Sequence, residues 1–109
     1  RAREAREQER LERLEAARRA IRELAPAEPT LLAVYLFGSV LQPGRFHESS
    51  DVDVAVDSDD PAAESRFWGA LEARLECNVD VRPRTGTVAF AVETSGEKVY
   101  EREVAAARS

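Results

Sequence analysis

Apolar and polar residues alternate along this chain in a few distinct rhythms, and each rhythm predicts an element. Residues 1–25 contain no glycine or proline and only one β-branched residue, Ile21; the rest mix Arg, Glu, Ala and Leu, all strong helix formers. A helix is predicted there. Leu11, Leu14, Ala17, Ile21 and Leu24 recur at helical spacing as one narrow stripe, so the second half of this helix is expected to pack on the body of the domain. The first ten residues offer no large apolar side chain and either fray or meet a partner, fraying being the simpler expectation. Glu9 with Arg13 and Glu15 with Arg19 stand acid-first at i,i+4, worth about 0.2–0.5 kcal/mol each. Pro26 and Pro29 end the helix.

The next rhythm is different. Leu31 to Phe37 is apolar without alternation, the pattern of a strand covered on both faces and central in its sheet. Asp51 to Asp57 alternates strictly, with Val52, Val54 and Val56 on one side and Asp51, Asp53, Ala55 and Asp57 on the other. Ser58-Asp59-Asp60-Pro61 then offers capping side chains and a proline suited to the first helical position. The helix it opens carries Phe67, Trp68, Leu71 and Leu75 and runs to about Glu76. Asn78 to Arg82 alternates again, with Val79 and Val81 opposite Asn78, Asp80 and Arg82. Residues 83–87 read as a turn and 88–93 as either a short helix or a strand, which Ser95-Gly96 separates from residues 98–101. Strands alternating with helices predict an α/β (α+β) fold, a small mixed sheet with flanking helices.

Composition narrows the function. The chain has 109 residues, enough for one domain with one core, and a formal net charge of -5. That charge argues against nucleic acid as a partner, since backbone binding needs a basic stripe. Fifteen of the sixteen basic residues are arginine, which suits bidentate contacts to the phosphates of a small ligand. Cys77 is the single cysteine, so no intramolecular disulfide forms and its expected role is a half-buried small hydrophobe. The longest apolar run, Leu31 to Phe37, is far shorter than the roughly 20 residues of a membrane span, so neither membrane nor secretion is indicated and a cytoplasmic location is expected.

Asp51 and Asp53 carry the candidate chemistry. Residues i and i+2 of a strand project to one side, about 6–7 Å apart, and two carboxylates so placed repel each other unless a cation or a proton intervenes. Pairing the Asn78–Arg82 strand beside them brings Asp80 to about 5 Å. Three oxygen ligands suit a hard cation such as Mg²⁺, and two such ions form the clamp used for in-line phosphoryl displacement. Gly38-Ser39, directly after the apolar strand, allows close backbone approach and a cap for a short following helix, a place for phosphate. The chemistry implied is nucleotidyl transfer. Simpler roles are open to several of these residues: solvated strand positions for Asp51 and Asp53, an ion pair with Arg82 or Arg84 for Asp80, and a solvent-exposed position for His47. An EF-hand reading of residues 51–60 fails, because valines fill positions between the ligands and no glycine makes the turn.

In their order, "FGS" at 37–39, "SDVDVAV" at 50–56 and "VDVRP" at 79–83, these motifs resemble the minimal nucleotidyltransferases (MNT type) of the DNA polymerase β-like superfamily. The resemblance implies the nucleotidyltransferase fold over residues 31–104, following the charged helix of residues 1–25 within one domain overall. It implies that Gly38 and Ser39 bind the triphosphate, that Asp51 and Asp53 hold Mg²⁺, and that Asp80 completes the catalytic and metal site near the attacking hydroxyl. The expected reaction is transfer of NMP, with ATP the expected donor, to a hydroxyl. Many minimal members pair with a HEPN-family protein as toxin and antitoxin, and some transfer AMP to that partner's tyrosine, so a HEPN partner or a homodimer is expected to supply the acceptor surface. The alternative is a non-catalytic module of the same fold that neutralises its partner by occlusion. What motivates it is the loop after Gly38-Ser39: four residues, Val40 to Pro43, precede Gly44 where family members usually have three.

Overall fold

Valines decide which way the sheet faces. A computed structural model of the chain describes residues 2–47 and 49–103, so Arg1 of the expected first helix and the 104 end of the expected domain lie outside the described residues. Four strands, β1 (Ala33–Phe37), β2 (Val52–Asp57), β3 (Val79–Pro83) and β4 (Glu97–Glu101), pair in the order β3-β2-β1-β4. β1 is antiparallel to both β2 and β4, and β2 is parallel to β3. The sheet is therefore mixed, with β1 and β2 central. In this register Val34 faces Val56, Leu36 faces Val54, and Val79 and Val81 stand beside Val52 and Val54. All these side chains are buried in one cluster. Slipping β2 by one residue would put its aspartates into that cluster, so the alternation fixes the pairing.

Two helices cover the valine face. Helix α1 (Ala2–Leu24) contributes Leu14, Ala17, Ala20 and Ile21 to the core, and α2 (Pro61–Leu75) contributes Phe67 and Leu71. Asp60 caps α2, its carboxylate accepting from the Ala62 amide at 3.1 Å, with Pro61 in the first turn as expected. Glu76 ends the helix in the left-handed region at φ 54°. Helix α3 (Gly86–Ser95) lies against β1 and β2 and contains no fully buried residue. Among the described residues no helix is long and apolar enough to cross a membrane.

The structure departs from the sequence reading at Leu11 and decides it elsewhere. Leu11 is 48% exposed and stands outside the core, because the buried stripe of α1 turns away from it toward Arg10 and Leu14. Of the two states open to residues 88–93, the structure takes the helix, and Phe90 in it is 70% exposed. Residues 2–10 are helical, as α1 starts at Ala2. Among the described residues, ion pairs of α1 include Arg10–Glu7 within the helix and Arg18 to Glu97 of β4 at 2.7 Å across the fold.

These burials give a direct stability contrast. Ile21→Ala is expected to cost about 2–5 kcal/mol in urea unfolding, the range for deleting a buried aliphatic side chain, whereas Leu11→Ala is expected to change stability by no more than about 0.5 kcal/mol.

Candidate active site

The face of the sheet opposite the valines carries the charges. Asp53 sits in central strand β2, paired with Phe37 on one side and with Asp80 of β3 on the other. Because directly paired residues project to the same side, the two carboxylates share a face one strand apart. Asp51 precedes the first residue of β2 on that same face and is exposed.

The edge strand that brings Asp80 into place is held by α2. The Trp68 indole N–H donates to the Val79 carbonyl at 2.6 Å, and the Val79 amide donates to the Glu72 carboxylate at 3.3 Å. The Val52 amide donates in turn to the Asn78 carbonyl at 3.1 Å, which ties the starts of β2 and β3 together.

Gly38 closes the other side. It leaves β1 directly after Phe37, the partner of Asp53, and starts a short 3₁₀ turn, Gly38–Leu41, with φ at +83°. A β-carbon here would lie 2.3 Å from Asp53 Oδ2 and in a backbone region that side chains avoid. The Gly38 backbone is thus pressed against the carboxylate, an approach only glycine permits. Ser39 follows, partly buried, with its carbonyl accepting from the Gln42 amide at 3.0 Å.

Electrostatics single out one member of the group. Burial, then the neighbouring Asp80 and Asp51 carboxylates, push the Asp53 carboxyl up to about 6, with Arg82 offsetting part of the effect. The site is short of positive charge, and an oxygen-rich donor set with that deficit fits a hard divalent cation. The side chains do not yet form a closed ligand set: among the described residues no three His, Cys, Asp or Glu groups are gathered tightly enough to hold a metal ion. Asp80 is turned to Arg82, whose Nε donates to it at 2.8 Å.

Other candidates settle into structural roles. Asp57, at the far end of β2, accepts from Arg84 Nε at 2.8 Å and from the Tyr35 hydroxyl at 3.0 Å, with the Arg84 guanidinium over the Tyr35 ring. His47 is exposed and Cys77 partly buried. Two concavities, of about 290 and 350 Å³, lie along α1, and none of the three aspartates lines either. Sequence reasoning missed Trp68 and Glu72 as supports of β3, since an apolar-face aromatic and a helix glutamate carry no distinguishing signal. It also missed Glu7 and Arg10, which reach the loop after Gly38-Ser39.

The profile of the family described as "Polymerase beta, Nucleotidyltransferase" matches residues 19–104. Among solved structures, a chain of a toxin–antitoxin complex with AMP-PNP matches over 79% of this chain and 74% of its own, at 30% identity and a TM-score of 0.64. A chain from the structure of the tri-AMPylated Shewanella oneidensis HEPN toxin in complex with MNT antitoxin matches over 83% and 73%, at 26% identity and a TM-score of 0.57. A chain of the toxin–antitoxin MntA–HepT structure matches over 82% and 73%, at 25% identity and a TM-score of 0.57. Comparison with curated protein sequences finds no match.

The raised Asp53 carboxyl makes a signed prediction. Below about pH 4 it is protonated in both folded and unfolded chains and contributes nothing. Between about 4 and 6 the folded chain retains a proton that the unfolded chain has released, so this group's contribution to stability falls as pH rises, and above about 6 the penalty is complete. Asp53→Asn is therefore expected to stabilise the metal-free protein by about 1–2 kcal/mol at pH 7.5, a value discounted for partial solvent screening, and by nothing measurable near pH 3.5. Parallel thermal melts of the two proteins across that range check it.

Proposed function

The chain belongs to the polymerase β nucleotidyltransferase family, and on that premise we propose that it transfers a nucleoside monophosphate, AMP from ATP, to a hydroxyl on a HEPN-type partner and so acts as an antitoxin in the cytoplasm. The observation that carries this reading is the pairing of Asp53 with Asp80 one strand over, on the face where Gly38 turns against Asp53. Support for the donor and acceptor comes from the similar chains, one solved with AMP-PNP and one in complex with a tri-AMPylated HEPN toxin.

In this reading Gly38 and Ser39 receive the triphosphate, the glycine through its backbone and the serine through its hydroxyl. Asp51 and Asp53 hold Mg²⁺, with Asp80 as the third ligand to a two-ion site. When bound, the ions neutralise triphosphate charge and favour ionisation of the acceptor. The acceptor oxygen forms a bond to the α-phosphorus as the bond to the bridging oxygen breaks, releasing pyrophosphate. Asp80, on edge strand β3, takes the acceptor's proton. The Arg82 guanidinium, paired with Asp80 in the absence of ligand, is suited to phosphate oxygens once that pair opens.

The Arg82–Asp80 pair is also the observation that favours a second reading, in which the protein binds its partner and blocks it without chemistry. One experiment separates them. Purified protein is mixed with α-labelled ATP, Mg²⁺ and a HEPN-type partner, and label on the partner is quantified together with the partner's activity. Transfer is expected, falling by about 100-fold or more in Asp51→Asn with Asp53→Asn, the scale of losing several kcal/mol of charge stabilisation. Transfer that survives the double substitution contradicts the metal assignment, and inhibition without transfer establishes occlusion.

A further inference from the structure

Arg10 is 6% exposed although it lies in a stretch of α1 whose neighbours are polar and solvent-facing. A buried guanidinium is costly unless its charge is paired and its donors are used. Here both conditions are met by one construction. Nη1 donates to the Val40 carbonyl at 2.9 Å, and Nε donates to Glu7 Oε2 at 2.9 Å. The other Glu7 oxygen, Oε1, accepts from the Gly44 amide at 3.3 Å. The pairing with Arg10 holds the Glu7 carboxyl below its ordinary range.

The two protein groups gripped are not arbitrary. Val40 belongs to the 3₁₀ turn that starts at Gly38-Ser39, and Gly44 closes the loop of four residues that follows Ser39. One ion pair on α1 thus takes hold of both ends of that loop, accepting at one end and donating at the other. Glu7 and Arg10 are one helical turn apart, so the helix itself sets their separation.

We infer that Glu7 and Arg10 are positioning residues for nucleotide binding: together they clamp the segment from Val40 to Gly44 and thereby hold the Gly38-Ser39 turn in the geometry that receives a triphosphate. The inference rests on the proposed nucleotidyltransferase reading for its ligand, and on the structure alone for the clamp. It gives the start of α1 a task that its lack of apolar side chains does not reveal. It also accounts for how a loop longer than the family pattern keeps its turn in place.

The test uses the full chain and two readouts. Arg10→Met keeps the aliphatic stem in its buried position and removes the donors, and Arg10→Lys restores one charged donor. Arg74→Met, which removes an α1-to-α2 ion pair with Glu23 at the other end of α1, is the control for a purely structural loss. Backbone amide exchange over residues 38–45 in the nucleotide-free protein is expected to rise in Arg10→Met by about tenfold more than elsewhere in the chain, and not in Arg74→Met. The Kd for AMP-PNP with Mg²⁺ is expected to rise by about tenfold in Arg10→Met, with recovery to within about threefold in Arg10→Lys and no change in Arg74→Met. Unchanged exchange over 38–45 overturns the clamp. Raised exchange with unchanged Kd overturns its role in binding. If the wild-type chain itself binds no AMP-PNP while exchange rises as expected, the nucleotide reading has failed and the clamp, without that ligand, has not.

Discussion

Asp53 is a carboxylate that the fold holds where a carboxylate is unfavourable. It stands in a central strand, half-buried, with Gly38 packed against it on one side and Asp80 paired to it on the other. Its raised carboxyl records the strain of that placement: desolvation first, then like charge. A chain selected for stability alone would place an asparagine or a threonine here. The rest of the structure reads as the apparatus that enforces the position. Valines on the opposite face lock the register of β2 against β1 and β3, α2 pins the start of β3 through Trp68 and Glu72, and the positive φ of Gly38 lets the backbone turn within touching distance.

A site built this way is unfinished without a counter-charge, and the protein supplies a provisional one. Arg82 pairs with Asp80 and lowers the local repulsion, but it stands on an exposed edge where solvent competes for it. A pairing of that kind is weak. The charge deficit is what marks this surface. None of the three aspartates lines the concavities along α1.

Much of this was legible in the sequence, because alternation is a direct consequence of strand geometry. The valines at 52, 54 and 56 and at 79 and 81 placed Asp53 and Asp80 on one face before any coordinates, and Asp60-Pro61 marked the start of α2. The family resemblance carried by "FGS" and "SDVDVAV" agrees with the profile match and the similar solved chains. What escaped were features set by contacts distant in sequence. Leu11 fits the helical stripe, but the buried side of α1 runs through Arg10 and Leu14 and leaves it exposed. Arg10 is one of many arginines in α1, and nothing local distinguishes the one that reaches Val40. The Arg82–Asp80 contact was foreseen only as one of two alternatives, since Arg84, four residues from Asp80, is also within side-chain reach; it pairs instead with Asp57.

The central claim is that the carboxylates at the joint of β2 and β3, together with the Gly38 turn, gather a divalent cation. Paramagnetic broadening of assigned backbone amide signals by substoichiometric Mn²⁺ tests it most directly, because it locates the ion without requiring turnover. The account predicts that the signals of Gly38, Asp51, Asp53 and Asp80 are lost first, before those of the glutamates of α1. Broadening confined to α1, or spread evenly over the acidic surface, would contradict it.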